Sequence, residues 1–464
     1  MDILIILFAL LFLIFVAYRG FSVILFAPIA ALIAVLLTSP SLVLPFYSSI
    51  FMEKMVGFIK LYFPVFLLGA IFGKVIAMSG FAKSITRSIV TMFGGEKAIV
   101  AIVLVGAILT YGGVSLFVVA FALYPFASEL FKAADIPKRL IPATIALGAF
   151  TFTMDAFPGS PQIQNIIPTA FFHTDAWAAP WLGLLGGSFI FVCGIFYLQW
   201  QKRKASKAGE GYGKDHLNEP IEVATEGLPN PLIAILPLVL VGIFNKVFTS
   251  MIPFYYGKSF DFTVIGLKDI PTVDVSKLTA IWAVEGALLI GIATVLILAF
   301  GRIKKTFNTE VNLSIGGALL ATLNTASEYG FGGVIAALPG FKAVSAGIAS
   351  TFKDPLVNEA ITITTLSGIT GSASGGMSIA LAAMHETYLT QAAQLGIPNE
   401  VLHRVASMAS GGMDTLPHNG AVITLLAVTG LTHRQSYKDI FVMTGFKTAG
   451  VFLIICLYYI FGII

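Results

Sequence analysis

The amino-acid sequence predicts an all-α polytopic membrane protein with about ten transmembrane helices and two re-entrant hairpins, arranged in two inverted repeats. Three observations predict this fold class. Hydrophobic residues make up 57% of the 464 residues and charged residues only 11%, with a mean hydropathy of +0.90, a balance that soluble domains do not show. Long apolar segments recur along the chain, and landmarks of the first half return in the same order in the second.

Eight apolar segments approach or exceed the length needed to cross about 30 Å of hydrocarbon. They cover residues 3–16, 21–37, 61–78, 181–198, 232–247, 278–300, 313–338 and 441–464. Asp2 precedes the first segment and no small-residue cleavage pattern follows it, so we expect a retained helix and not a signal peptide. Cys193 and Cys456 lie in apolar sequence and do not indicate a disulfide framework.

Two further apolar regions, residues 98–129 and 357–391, are split near their middle by glycine and hydroxyl residues. Residues 98–110 would form a helix of only about 20 Å at about 1.5 Å of rise per residue, which is too short to cross a bilayer. Irregular backbone at membrane depth persists only where protein or a wet cavity satisfies it. We therefore expect two re-entrant hairpins with their tips inside the protein.

The phrase Met-Asp-x-x-Pro occurs twice within apolar sequence, at residues 154–158 and 413–417. Each occurrence places an aspartate beside a helix-breaking proline, at a depth where ionisable side chains are costly and usually functional. We expect broken helices at residues 140–172 and 401–430. Paired interruptions in the two halves of a chain are the best sequence-level indication of a solute site in a membrane carrier.

The two halves of the chain share a series of landmarks. Gly112-Gly113 matches Gly375-Gly376, Ile136-Pro137 matches Ile397-Pro398, and Asp155 matches Asp414. The sequence thus predicts a first repeat at residues 1–200 and a second at residues 231–464. Each copy would have five crossings and one hairpin, and an odd number of crossings inverts the second copy. The glycine-rich, charged residues 201–230 would form a flexible linker between them.

Charge indicates the orientation. The net charge of +4 is small and spread over loops, so no nucleic-acid partner is expected. Most of the 28 Lys and Arg residues fall on one side of the predicted topology, together with the linker. By the positive-inside rule that side is cytoplasmic, in the inner or plasma membrane of the cell. Arg404 is expected in a loop on the other side, and Lys74 is expected to reach water from a helix end.

The predicted hairpin tips and broken helices would meet near the bilayer midplane. Free amides of half-helices attract anions and free carbonyls bind cations, so a carboxylate-bearing solute with a coupling cation, H⁺ or Na⁺, is the expected cargo. No other cofactor or metal is expected. The expected substrate-binding residues are Thr110, Tyr111, Gly112, Gly113, Ser115, Gly159, Ser160, Gln162, Asn165, Thr370, Ser372, Ser374, Gly375, His418 and Asn419, and the expected ion-coupling residues are Asp155, Asp414 and Glu328.

Simpler interpretations exist for these residues. Glycine pairs in membrane helices often mediate close helix packing, and His418 could be an ordinary buried histidine. Asp155 and Asp414 could cap half-helices. However, an unpaired aspartate at the bilayer centre costs roughly 2.5–3.5 kcal/mol on insertion scales, and Asn or Ser would cap at a lower cost. A role in coupling is therefore the favoured interpretation of both aspartates.

The order of three helices, glycine-rich hairpin, broken helix and closing helix, repeated once, resembles the ion transporter superfamily. Within it the Tyr111-Gly112-Gly113 tip, the tip at residues 370–376 and the two Met-Asp-x-x-Pro breaks resemble the gluconate permease (GntP) family. The resemblance implies a proton symporter for gluconate or related hydroxy acids, with the 3-hydroxybutyrate permease branch preferred. It also implies a homodimer with a static scaffold and an elevator-like moving core that contains both hairpins.

Four alternatives remain open. A cation/proton antiporter of the same superfamily, or a di- or tricarboxylate carrier, would share the architecture. An intramembrane enzyme is disfavoured because His385-Glu386 lacks the second histidine of a zinc protease motif, where Leu389 stands instead. A channel is disfavoured because facing hairpin tips suit alternating access. Proton coupling is favoured over sodium coupling because three titratable side chains are expected inside the membrane.

Overall fold

Nearly all regular structure is helical, which confirms the prediction of an all-α polytopic membrane protein. The computed structural model describes residues 2–18, 21–93, 97–114, 116–214, 216–219, 227–341, 343, 352–417 and 419–464. Within those residues the exception is one antiparallel pair of two-residue strands, β1 (Ser259–Phe260) and β2 (Val273–Asp274). The sequence does not predict these strands, because an alternation of apolar and polar residues cannot be recognised over two positions.

The first half of the chain contains eleven helices among the described residues. They are α1 (Asp2–Tyr18), α2 (Val23–Thr38), α3 (Val43–Phe46), α4 (Met52–Met78), α5 (Phe81–Phe93), α6 (Ala98–Tyr111), α7 (Leu116–Ala133), α8 (Ile141–Ala149), α9 (Phe152–Asp155), α10 (Ile163–Phe172) and α11 (Pro180–Lys207). Short turns at Pro40–Leu42 and Tyr47–Phe51 join α2 to α4, so helical backbone begins well before the predicted residue 61.

The second half repeats much of this order. Its helices are α12 (Pro231–Tyr256), α13 (Val275–Ile303), α14 (Phe307–Ala337), α15 (Pro355–Thr370), α16 (Ala373–Leu395), α17 (Asn399–Gly411), α18 (Gly420–Thr429) and α19 (His433–Phe461). The pairs α6–α7 and α15–α16 are hairpins 1 and 2. The segments between α9 and α10, residues 156–162, and between α17 and α18, residues 412–419, are breaks 1 and 2.

Five helical segments are long and apolar enough to cross a membrane by length and composition. They are Pro40–Met78, Pro180–Lys207, Pro231–Tyr256, Val275–Ile303 and His433–Phe461. Shorter apolar helices include Asp2–Leu13 and Val23–Thr38. The described residues thus support a multi-pass protein, and the remainder of the predicted ten crossings would have to be made by shorter or broken helices.

The two broken helices run in opposite directions between two faces of the molecule. The turn Lys138–Leu140, at the start of α8, contacts the linker. At the other face, Asn399 of α17 donates to the carbonyl of Phe172, where α10 ends (2.9 Å). The second broken helix then returns to the linker, where Asn218 donates to the carbonyl of Ala427 in α18 (2.9 Å). We refer to these as the linker face and the opposite face.

The hairpins also open on different faces. Tyr124 of α7 donates to the backbone carbonyl of Asn218, so hairpin 1 opens at the linker face (2.7 Å). Tyr459, near the end of α19, donates to Asp354 at the start of α15, so hairpin 2 opens at the opposite face. The helix contacts also correspond between the two halves. Helix α7 packs on α18, and its counterpart α16 packs on α10. Likewise, α2 packs on α14, and its counterpart α13 packs on α4.

The linker is more ordered than the sequence analysis predicted. Residues 201–207 continue α11, and Tyr212 and Glu219 then bond to hairpin 1 and to the turn before α8. Glu219 lies 2.9 Å from the Lys138 ammonium, and Arg139 bonds Glu210 at 2.7 Å. The hydrogen bond from Arg139 holds the pKa of the Glu210 carboxyl below its usual value. The prediction of a flexible linker is therefore wrong for its described first part, because its polar side chains find partners on hairpin 1.

Candidate functional site

The chain departs from regular helix ahead of break 1, where α8 ends. Thr151 leaves the helical conformation, with φ −129° and ψ −128°, and the four-residue α9 ends at Asp155. A helix end leaves its last carbonyls without helical partners. Two such carbonyls meet side chains here, since the carbonyl of Phe150 accepts from the Lys447 ammonium at 2.6 Å and that of Ala149 from the Thr110 hydroxyl at 3.4 Å.

The tip of hairpin 1 lies against break 1. The Gln162 amide donates to the carbonyls of Thr110 and Val114, at 2.8 and 3.3 Å. The Tyr111 hydroxyl donates to the carbonyl of Pro158 at 2.7 Å. Gly113 adopts φ +94°, which favours glycine, and a Cβ there would press on the Pro161 ring.

Three predicted residues in break 1 or in the first turn of α10 have structural partners in this conformation. Ser160 is fully buried and donates to the carbonyl of Thr153 at 2.7 Å. Asn165, also buried, donates to the carbonyls of Ser160 and Ala176, both at 2.9 Å. Gly159, with φ +79°, packs so closely on Trp177 that a Cβ would overlap its ring. Gly112 faces Leu238 of α12 in a similar way. These four residues therefore shape the break and the tip.

The tip of hairpin 2 lies against break 2 in a matching arrangement. Asn419 donates to the carbonyl of Gly371 at 2.9 Å, as Gln162 does to the other tip. The Asp414 carboxylate accepts from the backbone amide of Ala373 at 3.3 Å and from the Asn419 amide at 3.3 Å. Ser372 caps α16 by accepting from the Gly375 amide at 3.1 Å. Each break thus holds its tip through one side-chain amide.

Glu328 lies on a different side of this tip. A Cβ on Gly375 would overlap the Glu328 carboxylate, so the glycine allows α14 and α16 to approach at this point. Ser374 lies 3.5 Å from the Thr325 hydroxyl on α14. Hairpin 2 therefore separates Glu328 from Asp414, and the three predicted coupling carboxylates do not form one cluster. Ser115 and His418 lie outside the described residues, as does the side chain of Thr370.

The two breaks meet through the first turn of α10. The Gln164 amide donates to the Asp414 carboxylate at 3.0 Å, which joins the first half of the chain to the second. Asp155 packs on Gly411, where a Cβ would overlap its carboxylate. Lys447 of α19 lies 3.8 Å from the Asp155 carboxylate. We call Asp155, Asp414 and Lys447 the charge centre; their exposed fractions are 1%, 7% and 1%.

Arg404 supports the charge centre from α17. Its guanidinium donates to the carbonyl of Asp155 and the side-chain oxygen of Asn165, each at 3.0 Å, and to the carbonyl of Ala178 at 2.6 Å. The side chain is completely buried. The prediction of a loop position for Arg404 is therefore wrong, because α17 turns this residue inward.

Sequence reasoning missed Lys447 and Arg404 as site residues. Lys447 stands in the otherwise apolar segment at residues 441–464, and an isolated lysine in such a segment is itself a signal. Arg404 falls within the predicted broken helix at residues 401–430, where a basic side chain next to small residues could have been noticed. The positive-inside rule counts Arg404 among the loop charges without considering its burial, whereas Lys447 is expected only in or beside a helix.

A cavity of about 480 Å³ lies beside tip 1 and break 1. Its polar lining residues include Gln162, Gln164, Lys74 and Ser314, and Met154 adjoins the charge centre. The other walls come from α4, α13 and α14. Lys74 forms an ion pair with Glu310, and its side chain is 30% exposed. Lys74 therefore lies in the cavity wall, about one turn before the end of α4. The sequence predicted only that it reaches water from a helix end.

A second cavity, of about 820 Å³, opens at the opposite face. Lys246 and Lys258 line it, and the Lys246 ammonium lies 5.1 Å from the centre of the Trp177 ring. Thr174 lines it too and bonds His403 at 2.6 Å, and His403 contacts Asn165 at 3.2 Å. Buried polar groups thus extend from this cavity to Arg404.

Comparisons with known proteins agree with this architecture. The chain is 62% identical over 472 aligned positions to the uncharacterized transporter YxjC of Bacillus subtilis, with all of both chains covered. It is 27% identical over 186 residues to an uncharacterized transporter of Haemophilus influenzae, covering 39% of this chain and 42% of the relative. No protein-family profile matches.

A solved structure has a similar fold. The YdaH transporter of Alcanivorax borkumensis superposes with a TM-score of 0.50 over 89% of this chain and 88% of the other, at 14% sequence identity. That likeness concerns the fold alone. The identity to YxjC covers both chains from end to end and supports a role in transport, without indicating the gluconate permease branch. The chain therefore belongs to the family of multi-pass membrane transporters that includes YxjC of Bacillus subtilis.

Proposed function

We propose that this protein is a secondary active symporter that moves a small organic anion together with protons. The preferred substrate is a hydroxy monocarboxylate such as gluconate or 3-hydroxybutyrate. The observation that carries the proposal is the position of Gln164, which lines the 480 Å³ cavity and donates to Asp414 of the charge centre. A solute in the cavity and the buried carboxylates would therefore act on the same side chain.

The size and lining of the cavity favour a small polar anion. Its volume of about 480 Å³ falls within the range of roughly 300–1,000 Å³ that is common for small-molecule sites. Lys74 supplies a positive charge, and Ser314 and Gln164 supply groups that can bond a hydroxyl. The side-chain oxygen of Gln164 is buried and has no hydrogen-bond partner among the described residues. A hydroxyl on the solute would satisfy that oxygen.

Charge balance favours a co-transported proton. Asp155 and Asp414 carry two negative charges when ionised, and Lys447 and Arg404 carry two positive charges, so this group of four side chains is formally neutral. These are also the charged groups that face Asp155. A monocarboxylate alone would add an uncompensated charge to this poorly solvated region, which is costly. One proton on an aspartate restores neutrality.

The contacts around the breaks support elevator-type alternating access. Gln162 and Asn419 tie each tip to its break, and Gln164 ties the breaks together. The cavity lies between this block and the helices α4, α13 and α14. Movement of the block against those helices would carry the solute across the membrane. A homodimer in the cytoplasmic membrane, with the linker on the cytoplasmic side, completes the proposal.

Ligand binding can be tested without transport. The purified protein would be melted in gluconate, 3-hydroxybutyrate, lactate, citrate and dicarboxylates, since a ligand that prefers the folded state must stabilise it. A hydroxy monocarboxylate should raise the melting temperature most, and a Lys74→Ala variant should lose most of that rise. Stabilisation by citrate or dicarboxylates instead would assign a di- or tricarboxylate carrier.

Identifying the coupling ion requires an uptake measurement with the protein reconstituted in vesicles. Uptake of the stabilising acid should follow an inward proton gradient and should collapse with a protonophore while the sodium gradient is held constant. Persistence of uptake under those conditions would reverse the assignment to protons.

A cation/proton antiporter is the second candidate, and one observation favours it. Lys74 is already paired with Glu310, so the positive charge of the cavity is compensated before any anion enters. An antiporter would exchange sodium for protons in vesicles without an organic acid. It would also fail to bind a labelled hydroxy acid, which separates the two functions.

A further inference from the structure

The ammonium of Lys447 occupies a position that resembles a metal-cation site. It donates to the carbonyl of Phe150, beyond the last residue of α8, at 2.6 Å. The Asp155 carboxylate lies 3.8 Å away. Asp414 is also close enough to act electrostatically on Lys447. Carboxylate and backbone carbonyl oxygens are the ligands that hard cations prefer, and half-helix ends supply such carbonyls in secondary transporters.

The Asp155 carboxylate has spare coordinating capacity. It is 1% exposed, and neither of its oxygens has a hydrogen-bond partner among the described residues. Buried carboxylates in proteins are normally hydrogen-bonded or bound to a metal. Asp155 instead faces the lysine at ion-pair distance. The distance of 3.8 Å between the carboxylate and the ammonium is longer than a hydrogen bond, so the carboxylate faces a cation without bonding to it directly.

We propose that Lys447 stands in place of a bound sodium ion, so that the native charge centre takes no metal cation. This inference rests on the proposed function, since it explains why coupling would be left to protons. Removal of the ammonium should then expose a site for sodium at the Asp155 carboxylate and the carbonyl of Phe150, with Asp414 adding a nearby negative charge. A lysine that only fills space or joins helices would leave no such site.

The experiment compares melting temperatures in sodium, potassium and choline chloride at equal ionic strength. Lys447→Ala should melt at a higher temperature in sodium than in choline, with a shift that saturates as sodium rises. Native protein should melt alike in the three salts. Lys277→Ala, which removes a 56% exposed lysine, should behave as the native protein. Adding Asp155→Asn to Lys447→Ala should abolish the sodium effect.

A second variant covers the case in which Lys447→Ala does not fold. Lys447→Gln keeps a donor for the carbonyl of Phe150 and removes only the charge, so it should show the same sodium-specific shift. The proposal is overturned if neither variant gains a sodium-specific shift, including the case in which neither folds in sodium. It is also overturned if native protein binds sodium at this place, with a shift that Asp155→Asn removes.

These outcomes are independent of the proposed substrate. Melting requires neither an organic acid nor a gradient, so failure to find a transported hydroxy acid leaves the sodium measurement readable. Conversely, if Lys447→Ala shows no sodium-dependent shift of its melting temperature, the measurement of proton-driven uptake by the native protein is not affected. The two failures are therefore distinguishable.

Discussion

At the residue scale, four buried charged side chains belong to the charge centre or contact it, and their surroundings differ. Asp414 accepts three hydrogen bonds, and Arg404 donates all of its described bonds to backbone and amide oxygens. Asp155 and Lys447 depend on each other across 3.8 Å. Removing one partner of a buried pair costs roughly 3–5 kcal/mol. Asp155 and Lys447 are thus the members whose electrostatic balance is easiest to disturb.

Neutralising either aspartate should reduce transport, and Asp155→Asn should also lower the melting temperature because it breaks a buried pair. Asp414→Asn would turn an amide group toward one of three donors, and Asp155→Asn would leave Lys447 without its counter-charge. Uptake by the folded protein should fall about tenfold or more. Asp414→Asn weakens hydrogen bonds to a charged group, which contribute roughly 1.5–3 kcal/mol each, and Asp155→Asn removes the counter-charge of Lys447. Initial uptake rates in vesicles measure this, with protein amount and melting as folding controls.

Glu386→Gln is the matched control for those variants, because this carboxylate is 82% exposed. Its uptake should equal that of the native protein. Normal uptake by both aspartate variants would show that the two carboxylates are structural caps.

Gln164 provides a second prediction at this scale. Gln164→Met keeps most of the volume but removes the donor to Asp414 and the polar cavity wall. Substrate affinity should fall, with a raised KM for uptake and a smaller ligand-induced melting shift. Gln201→Met is the control, because Gln201 is also buried but donates to Tyr197 away from the cavity. Equal effects of the two substitutions would contradict a special role for Gln164.

At the element scale, glycines set how closely hairpins and broken helices approach. A Cβ on Gly148 of α8 would overlap the carbonyl of Val103 on α6. In hairpin 2 a Cβ on Gly376 would overlap the backbone of Ser367. Such contacts fix each arm at backbone distance, as small residues do in other membrane helix pairs. The position of each tip therefore depends on how closely these glycines let the neighbouring helix approach.

Gly148→Ala should destabilise the protein. The extra methyl group meets backbone, which cannot rotate away, and overpacking of this kind costs typically 1–3 kcal/mol. The melting temperature should fall, and uptake should fall with it because α8 leads into break 1. Gly445→Ala on α19 is the control, since nothing lies within 4 Å of the added methyl group. A similar melting temperature for the two variants would contradict close packing at Gly148.

The sequence predicted the elements better than the site. Apolar segments, glycine-rich hairpins and Asp-Pro breaks are local signals, so they can be recognised within short stretches such as residues 140–172 and 401–430. The linker was misjudged because its partners, such as Lys138 for Glu219, are distant in sequence. Gln164 was missed for the same reason, because spacing along the chain does not reveal its contact with Asp414. Lys447 carries a local signal as an isolated lysine in apolar sequence, but that signal does not identify Asp155 as its partner.

At the scale of the whole molecule, the two halves meet along opposite chain directions. The hairpins open on different faces, and α10 ends where α17 begins. The charge centre thus takes Asp155 from the end of α9, Asp414 from break 2 and Lys447 from the last helix. An interior shared in this way requires both halves to fold before the charges are paired. Neither half alone should form a stable protein.

Labelling from the two sides of the membrane can test the orientation. In a background with Cys193→Ala and Cys456→Ala, Lys214→Cys and Lys258→Cys each introduce one exposed thiol, on the linker face and the opposite face. A membrane-impermeant maleimide added to intact cells should label position 258 and should label position 214 only after lysis. Labelling of both in intact cells would contradict the opposite placement of these segments.

Gln162 and Asn419 each fasten a tip to its own break. Tips held in this way do not open independently of the breaks, so the solute would cross the membrane bound to a larger rigid block that slides past neighbouring helices and lipid. Friction with the lipid would oppose each movement of that block. Turnover should then slow markedly in viscous, ordered bilayers, while the affinity for the solute stays nearly the same.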